Sequence, residues 1–338
     1  MLAIKAWIYA QHACDRQHMN KTSRIYIAGH RGLVGSALRR GLEKRGYTNL
    51  LTRSRNELDL ENQQAVADFF AAEKPEYVFL AAAKVGGIHA NNTYPAEFIH
   101  KNILIQDNII HQSWKNDARR LLFLGSSCIY PRECPQPIKE EYLLTGPLEP
   151  TNRPYAVAKI AGIETCWAYN RQYDTRYISV MPTNLYGPGD NYDLQNSHVL
   201  PALIKKMHEA KMGDRDHVVA WGTGTPRREF LFSEDMADAC IHLMIRPESE
   251  LNQLISEDFP PLINIGCGVD QTIKELGNLV KNVIGYTGTI EWDHSKPDGT
   301  MQKVLDISRI SHLGWKPTTG LEEGIQKAYR DFLTTSAS

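Results

Sequence analysis

Short apolar runs alternate with amphipathic stretches through the first half of the chain. The run at 24–28 ends in glycines and continues into an amphipathic stretch that reaches about residue 45, which predicts a strand, a turn and a helix. Further runs predict strands at 49–52, 77–83, 120–125, counted as the fifth, and 177–181, counted as the sixth. Helical periodicity over 95–115 and 152–170 lies between them. This order is typical of a doubly wound parallel α/β sheet.

The glycines that follow the first strand have the spacing of a phosphate-binding turn. Gly29, Gly32 and Gly35 form a GxxGxxG pattern between a strand and a helix. Such glycines allow a tight turn, a close approach of backbone amides to a pyrophosphate, and close packing of helix on strand. The pattern predicts that this α/β unit is a Rossmann-type domain that binds a dinucleotide.

The segment after the second strand distinguishes the two nicotinamide cofactors. An NAD enzyme usually presents a carboxylate to the ribose 2′-hydroxyl at this place, whereas this chain has Arg53 and Arg55. A guanidinium suits a 2′-phosphate, and Arg31 in the glycine turn could supply a second one. We therefore expect NADPH/NADP⁺. Glu57 and Asp59 lie close enough in sequence to keep NAD as an alternative.

Beyond residue 190 the elements become shorter and glycine, proline and tryptophan cluster, which predicts a smaller substrate domain interleaved with the sheet. We expect an NADP-binding Rossmann domain at 23–189 with returns near 229–246 and 262–266, and a mainly substrate-binding α/β domain at 190–330.

Residues 1–22 lack the apolar core and cleavage site of a signal peptide. We expect them to be a disordered extension, dispensable through residue 20, with Met19 as an alternative start.

Composition narrows the class of function. The 338 residues are 42% hydrophobic and 23% charged with a net charge of −1, so the sequence favours a soluble enzyme over a nucleic-acid-binding protein. No apolar stretch approaches the ~20 residues of a membrane helix. Six cysteines lack metal-ligand spacing, so we expect no metal and a reducing, cytoplasmic location. They lie at 14, 128, 134, 166, 240 and 267.

Two further motifs carry candidate chemistry. Tyr155 and Lys159 lie one helical turn apart, and a nearby ammonium group is expected to lower the pKa of a phenol and make it a usable acid. Ser126 and Ser127 follow the 120–125 strand, where a hydroxyl can hydrogen-bond a substrate carbonyl. With the glycine turn, these motifs resemble the extended short-chain dehydrogenase/reductase superfamily.

Longer stretches are similar to the GDP-L-fucose synthase family, and the similarity spans residues 24 to about 330. That resemblance implies a dual activity, in which C3 and C5 of GDP-4-keto-6-deoxy-D-mannose are inverted and C4 is then reduced with NADPH. It also implies a homodimer through the helices that begin near Pro95 and Asn152. The similar stretches are 28–36, 81–88, 91–95, 125–131, 154–162, 181–188, 196–201 and 295–300.

The resemblance also implies roles for individual residues. Ser126, Tyr155 and Lys159 would perform the reduction, with Cys128 as the base and His198 as the acid of the inversion. The substrate would contact Lys206, where the family often has arginine, Trp221, Arg228 and Asp298, and Lys303 is a further candidate for the diphosphate. The cofactor would contact Gly29, His30, Arg31, Gly32, Leu33, Val34, Gly35, Arg55, Asn56, Glu57, Leu58, Asp59, Leu60, Leu124, Gly125, Ser126, Ser127, Lys159, Pro182, Thr183, Asn184, Leu185 and His198.

Two alternatives share the dinucleotide-binding half. Another nucleotide-sugar epimerase or dehydratase would keep NAD bound and recycle it, but the arginines at 53 and 55 and the pair of Cys128 and His198 argue against it. A non-catalytic NADP-binding sensor would keep the glycine turn and lose the active-site residues, all of which are present.

Overall fold

The computed structural model describes residues 18–194, 197–255, 257–296 and 298–336. Its strands are β1 (Ile25–Ala28), β2 (Leu50–Leu51), β3 (Tyr77–Leu80), β4 (Arg120–Leu124), β5 (Tyr177–Pro182), β6 (Asn184–Tyr186), β7 (His217–Trp221), β8 (Arg227–Phe232), β9 (Leu262–Ile265), β10 (Asp270–Thr272), β11 (Thr289–Asp293) and β12 (Gln302–Lys303). Its α-helices are α1 (Leu33–Lys44), α2 (Gln63–Glu73), α3 (Ile88–Thr93), α4 (Pro95–Lys115), α5 (Arg153–Tyr173), α6 (Val199–Met212), α7 (Ser233–Met244), α8 (Glu248–Leu251), α9 (Ile273–Ile284), α10 (Ser308–His312) and α11 (Leu321–Ser336).

The main sheet is parallel throughout, with the strand order β2-β1-β3-β4-β5-β9. Strands β1, β3, β4 and β9 are buried along their whole length, which explains their continuous apolar runs. Helix α7 packs with α1 in one apolar cluster, and α2, α4 and α5 contribute to another. The strand order reverses between β1 and β3, where such sheets bind ligands at the strands' carboxyl ends.

The second half of the chain builds smaller sheets beside the main one. Strand β8 pairs with β6, β10 and β12, and β7 pairs with β11. A third apolar cluster lies among α6, α9 and α11. Strand β9, which comes late in the sequence, joins the main sheet beside β5, and α7 also returns to it. The predicted domain bounds remain predictions.

Three details differ from the sequence-based expectations. The strands that we counted as fifth and sixth are fourth and fifth in chain order. Strand β3 ends at Leu80 rather than near residue 83, because the chain leaves the sheet for the loop that leads to α3. Met19 is 5% exposed and packs in the first cluster, so the expectation of poor packing is wrong there. The remaining expectation for residues 1–17 lies outside the described residues.

Candidate active site

The glycine turn after β1 is shaped for a pyrophosphate. Gly29 has φ +86°, and a Cβ on it would lie 2.7 Å from the backbone nitrogen of Ala82, which follows β3. A Cβ on Gly35 would lie 2.1 Å from the carbonyl oxygen of Gly29. Gly32 precedes α1 and has no side chain to cap the helix, so the first amides of α1 are open to an anion. The turn therefore fits a dinucleotide.

The arginines near β2 have different surroundings. Arg53 forms an ion pair with Glu73 and lies over the ring of Phe69, so its guanidinium is directed toward α2. Arg55 is exposed, and its Nη2 lies 2.9 Å from Glu61 Oε1. The predicted phosphate contact thus requires Arg55 to exchange this surface ion pair, which is a weak interaction at such exposure.

The other charged groups on this side of the turn stand close together. Arg31 is exposed beside Glu57, and the Ser54 backbone amide donates to Glu57 Oε2 over 2.6 Å. Hydrogen bonds from Ser54, followed by the charges of Arg53 and Arg31, lower the pKa of Glu57. His30 is half-buried, and its Nδ1 has no hydrogen-bond partner among the described residues. Polar groups and positive charge therefore border this end of the turn.

Ser126, Cys128, Tyr155 and Lys159 meet where β4 ends. Ser126 begins a short 3₁₀ helix at Ser127–Ile129, and its hydroxyl accepts a hydrogen bond from the Cys128 amide over 3.3 Å. Tyr155 and Lys159 lie on the first two turns of α5. Lys159 Nζ donates to the Leu124 carbonyl oxygen over 2.6 Å, which ties α5 to the end of β4.

Burial determines which protonation states Tyr155 and Lys159 favour. It raises the pKa of Tyr155, the nearby Cys128 raises it further, and the Ser126 hydroxyl opposes the increase. Burial also lowers the pKa of Lys159 to about 7. The expected decrease in the pKa of Tyr155 is therefore wrong, because desolvation by burial is the largest influence on this phenol and raises its pKa. Tyr155 holds its proton at neutral pH.

The thiol of Cys128 has two polar neighbours from distant parts of the chain. Asn152 Nδ2 donates to Cys128 Sγ over 3.3 Å. Lys303 Nζ lies 4.0 Å from the same sulfur. We expected Lys303 to contact a diphosphate, which stays a prediction, and its ammonium group also places a positive charge beside this sulfur. The lysine is on β12, which pairs with β8.

The remaining cofactor candidates follow β5. Pro182 ends β5, and Leu185 is the central residue of β6. Thr183 Oγ1 and Asn184 Nδ2 both donate to the Glu229 carbonyl oxygen, over 3.2 and 2.8 Å, which fixes this crossing to β8. His198 directly precedes α6. The residue as a whole is exposed, whereas desolvation of its imidazole lowers the pKa of that group.

The predicted substrate residues form two neighbouring groups. Trp221 is 59% exposed, and the ammonium groups of Lys206 and Lys296 lie 5.9 and 5.6 Å from its ring centre. Asp298 accepts hydrogen bonds from the Thr223 amide and hydroxyl over 2.7 and 2.8 Å. Burial lowers the pKa of Arg228, and the charge of Asp298 partly opposes that decrease. Since Arg228 and Lys303 are paired across β8 and β12, this surface continues to Cys128.

Comparisons with known proteins agree with this geometry. Residues 25–266 match the NAD dependent epimerase/dehydratase family. The GDP-L-fucose synthase of Escherichia coli K12 is 55% identical over 314 residues, which cover 92% of this chain and 96% of that protein. The chain belongs to the GDP-L-fucose synthase family.

Solved structures also resemble the chain. The Campylobacter jejuni GDP-6-OMe-4-keto-L-xylo-heptose reductase is 41% identical, with a TM-score of 0.89, over 94% of this chain and 99% of that one. A GDP-L-fucose synthetase from Naegleria fowleri bound to NADP is 26% identical, with a TM-score of 0.85, over 95% and 96%. The Rossmann-type α/β fold predicted from the sequence is confirmed.

Two residues that the structure brings to this site were not among the candidates predicted from the sequence. Asn152 lies one turn before Tyr155, and a polar side chain at that spacing was its only signal. Lys296 lies in the SerLysProAspGly segment, but only the fold brings it to Trp221. Within the described part of the chain, no three His, Cys, Asp or Glu residues cluster as a metal site would require, and no helix has the length and apolar character to cross a membrane.

Proposed function

We propose that the chain converts GDP-4-keto-6-deoxy-D-mannose to GDP-L-fucose with NADPH, by inversion at C3 and C5 followed by reduction at C4. The observation that carries this proposal is the meeting of Ser126, Cys128 and Tyr155 at the end of β4. A ketone between Ser126 and Tyr155 is activated both for loss of the neighbouring protons and for reduction.

In the inversion, Cys128 removes the proton from the carbon next to the ketone, and His198 returns a proton from the other face. The Lys303 ammonium group lies 4.0 Å from the sulfur that accepts this proton. Ser126 and Tyr155 donate hydrogen bonds to the oxygen at C4 as it gains negative charge in the enolate. Desolvation lowers the pKa of His198, so its protonated ring gives up a proton more readily but is less populated at neutral pH.

In the reduction, the same ketone oxygen receives a proton from Tyr155. When bound, NADPH supplies the hydride that C4 requires. Burial and the nearby thiol keep the Tyr155 proton in place until negative charge develops on the ketone oxygen. Lys159 stands beside Tyr155 on α5, and its ammonium group would hold the cofactor ribose in exchange for the Leu124 carbonyl.

The nucleotide part of the substrate fits the exposed surface near Trp221. The open face of the indole can stack on guanine, and Lys206 and Lys296 bring positive charge to the same place. Arg228 and Lys303 continue that charge toward Cys128, as a diphosphate between the guanosine and the sugar requires. Asp298 holds the turn after β7 by accepting hydrogen bonds from Thr223, and the remaining lone pairs of its carboxylate can accept hydrogen bonds from ribose hydroxyls.

The cofactor, the assembly and the location complete the proposal. Arg31 and Arg55 would contact the 2′-phosphate of NADPH from either side of the glycine turn. The outer surfaces of α4 and α5 would join two copies of the chain. The described cysteines, at 128, 134, 166, 240 and 267, are free thiols, which supports a cytoplasmic location.

The test follows near-ultraviolet absorbance of NADPH and identifies the product sugar. We expect the wild type to form GDP-L-fucose. Cys128→Ser should lose inversion, and Tyr155→Phe should lose reduction by about 10²–10⁴-fold while still exchanging the C3 and C5 protons with D₂O. A product reduced at C4 without inversion would indicate a plain reductase, and unchanged NADPH would contradict the proposed function.

A further inference from the structure

Asn152 stands out among the neighbours of Cys128 because only part of its amide is used. Its Nδ2 donates to Cys128 Sγ over 3.3 Å. Its Oδ1 is buried and has no hydrogen-bond partner in the described part of the chain. An unpaired buried acceptor destabilises a fold, so an apolar side chain would serve better at a position kept only for packing.

The position of Asn152 couples it to the catalytic tyrosine. It ends the 3₁₀ helix Pro150–Asn152 and directly precedes α5. Tyr155 lies three residues later, so the amide and the phenol leave the same turn. Glu149 accepts the hydrogen bonds of the Thr151 amide and hydroxyl, which holds this turn in place. Any movement of the turn would therefore move the thiol's partner and the phenol together.

From this geometry we propose that Asn152 is a positioning residue for Cys128. Its amide orients the sulfur and can form a hydrogen bond with it both as a thiolate and as a thiol. The Nδ2 group donates to the thiolate that removes the substrate proton. Once the sulfur carries that proton, its S–H needs an acceptor, and Oδ1 of the same amide is the unused one. A half-turn of the amide exchanges the two atoms, so the polar contact survives the proton transfer. This inference rests on the proposed role of Cys128 as the base.

Other charged groups also face the sulfur. Lys303 lies 4.0 Å away on β12, and Tyr155 interacts with Cys128 from α5. Arg132 and Glu149 line the same small pocket and form an ion pair with each other. Asn152, like the protonated Tyr155, is neutral, whereas Lys303, Arg132 and Glu149 are charged. A substitution to aspartate therefore keeps its shape and changes only its hydrogen-bonding and its charge.

The first measurement is the rate at which iodoacetamide alkylates Cys128 in the free protein at neutral pH, read by peptide mass because Cys134 and Cys267 are also half-buried. We expect alkylation to slow about tenfold in Asn152→Ala and about a hundredfold in Asn152→Asp, whose carboxylate repels the thiolate. A role in packing alone predicts the opposite order, because aspartate preserves the volume. Equal rates in the three proteins, or alanine slower than aspartate, would overturn the inference.

Asn116 offers a matched control. It is half-buried, and its Nδ2 donates to the Gln112 carbonyl oxygen over 2.9 Å at the end of α4, which leads into the start of β4, whereas the active site lies at the other end of that strand. Asn116→Ala and Asn116→Asp should leave the alkylation of Cys128 unchanged, and a matching decrease there would also overturn the inference. Alkylation requires no substrate, so it reports on Asn152 separately from the proposed function, which the product assay tests.

The second measurement separates the two half-reactions. With substrate, Asn152→Asp should slow D₂O exchange at C3 and C5 at least tenfold more than it slows the proton transfer from Tyr155 to an already inverted ketone. Equal slowing of both steps would indicate a general disturbance of the site and would contradict the proposal. Wild-type protein without any exchange would instead refute the role of Cys128 itself.

Discussion

At the scale of single residues, the site combines the protonated phenol of Tyr155 with Lys159, whose charged form is disfavoured by burial. Burial raises the pKa of Tyr155 and lowers that of Lys159 to about 7. Both shifts favour neutral groups in the unliganded protein. The charged form of Lys159 therefore depends on partners that compensate its desolvation, such as the Leu124 carbonyl oxygen, to which its Nζ donates.

Lys159 should therefore reduce the stability of the unliganded protein. A pKa lowered from 10.5 to about 7 corresponds to about 4 kcal/mol at neutral pH, partly offset by the hydrogen bond to Leu124. We expect Lys159→Met to increase the free energy of unfolding by about 2 kcal/mol at pH 7, as measured by urea denaturation. Lys44→Met, on the exposed end of α1, is the control and should change it by less than about 0.5 kcal/mol.

The lowered pKa of Lys159 also determines how the stability of the wild type changes with pH. Between pH 7 and 10.5 the unfolded chain binds a proton at Lys159 that the folded chain does not, so the stability of the wild type rises with pH across this window. Below pH 7 the penalty is fully present. Lys159→Met should flatten this part of the profile. A mutant that is less stable than the wild type, with the same pH profile, would contradict the argument.

The sequence predicted the reacting groups better than their charges. Tyr155 and Lys159 were recognisable because their spacing is local, and Cys128 was assigned from the family resemblance. The shift in the pKa of Tyr155 was predicted in the wrong direction, because that shift depends on burial by residues distant in the sequence. Asn152 was missed for a related reason: its role depends on a contact with Cys128, which lies 24 positions away.

At the scale of elements, the three glycines of the turn have separable roles. A Cβ on Gly35 would meet the backbone of Gly29 at 2.1 Å, whereas a Cβ on Gly32 has no neighbour closer than 3.5 Å. Gly35→Ala should therefore lower the free energy of unfolding by about 2 kcal/mol or more. Gly32→Ala should preserve stability and weaken the binding of NADPH, because the methyl group would stand where the pyrophosphate approaches α1.

Chemical denaturation and NADPH fluorescence titration measure these two effects on the same protein samples. Gly46→Ala serves as a control for backbone strain alone, since Gly46 has φ +80° and no atom within 4 Å of an added Cβ. It should lose about 1 kcal/mol of stability without a change in NADPH affinity. If Gly32→Ala were as destabilising as Gly35→Ala, the assigned roles would be wrong.

Element bounds followed the sequence closely where the apolar pattern was long. Helix α4 begins and ends at the predicted residues, and β4 differs by one. The prediction failed at the ends of elements, as at β3, where Ala81 to Ala83 remain apolar but leave the sheet. Hydrophobicity alone does not distinguish a strand residue from an apolar loop residue at a ligand crevice.

At the scale of the whole molecule, the site depends on pairings that no local pattern encodes. Strand β12 contains only two residues, yet its pairing with β8 sets Lys303 beside Arg228 and within reach of Cys128. Strand β9 is the edge strand of the main sheet beside β5, although it begins more than 70 residues after β5 in the chain. The sequence predicted an interleaved substrate domain from its shorter elements and its clusters of glycine, proline and tryptophan. The strand pairings and contacts themselves could be recognised only in the folded structure.

The proposed homodimer is the last prediction, and it concerns the outer face of α4 and α5. Ile103 on α4 and Val157 on α5 remain 38% and 37% exposed, although both helices otherwise pack against the sheet and each other. Burial of such apolar positions would favour association of two copies. We expect Val157→Asp to shift the protein from dimer to monomer in sedimentation equilibrium, because association would bury an unpaired charge. Val219→Asp, at 43% exposure on β7, should remain dimeric. A monomeric wild type, or a Val157→Asp variant that stays dimeric at micromolar concentration, would place the interface elsewhere.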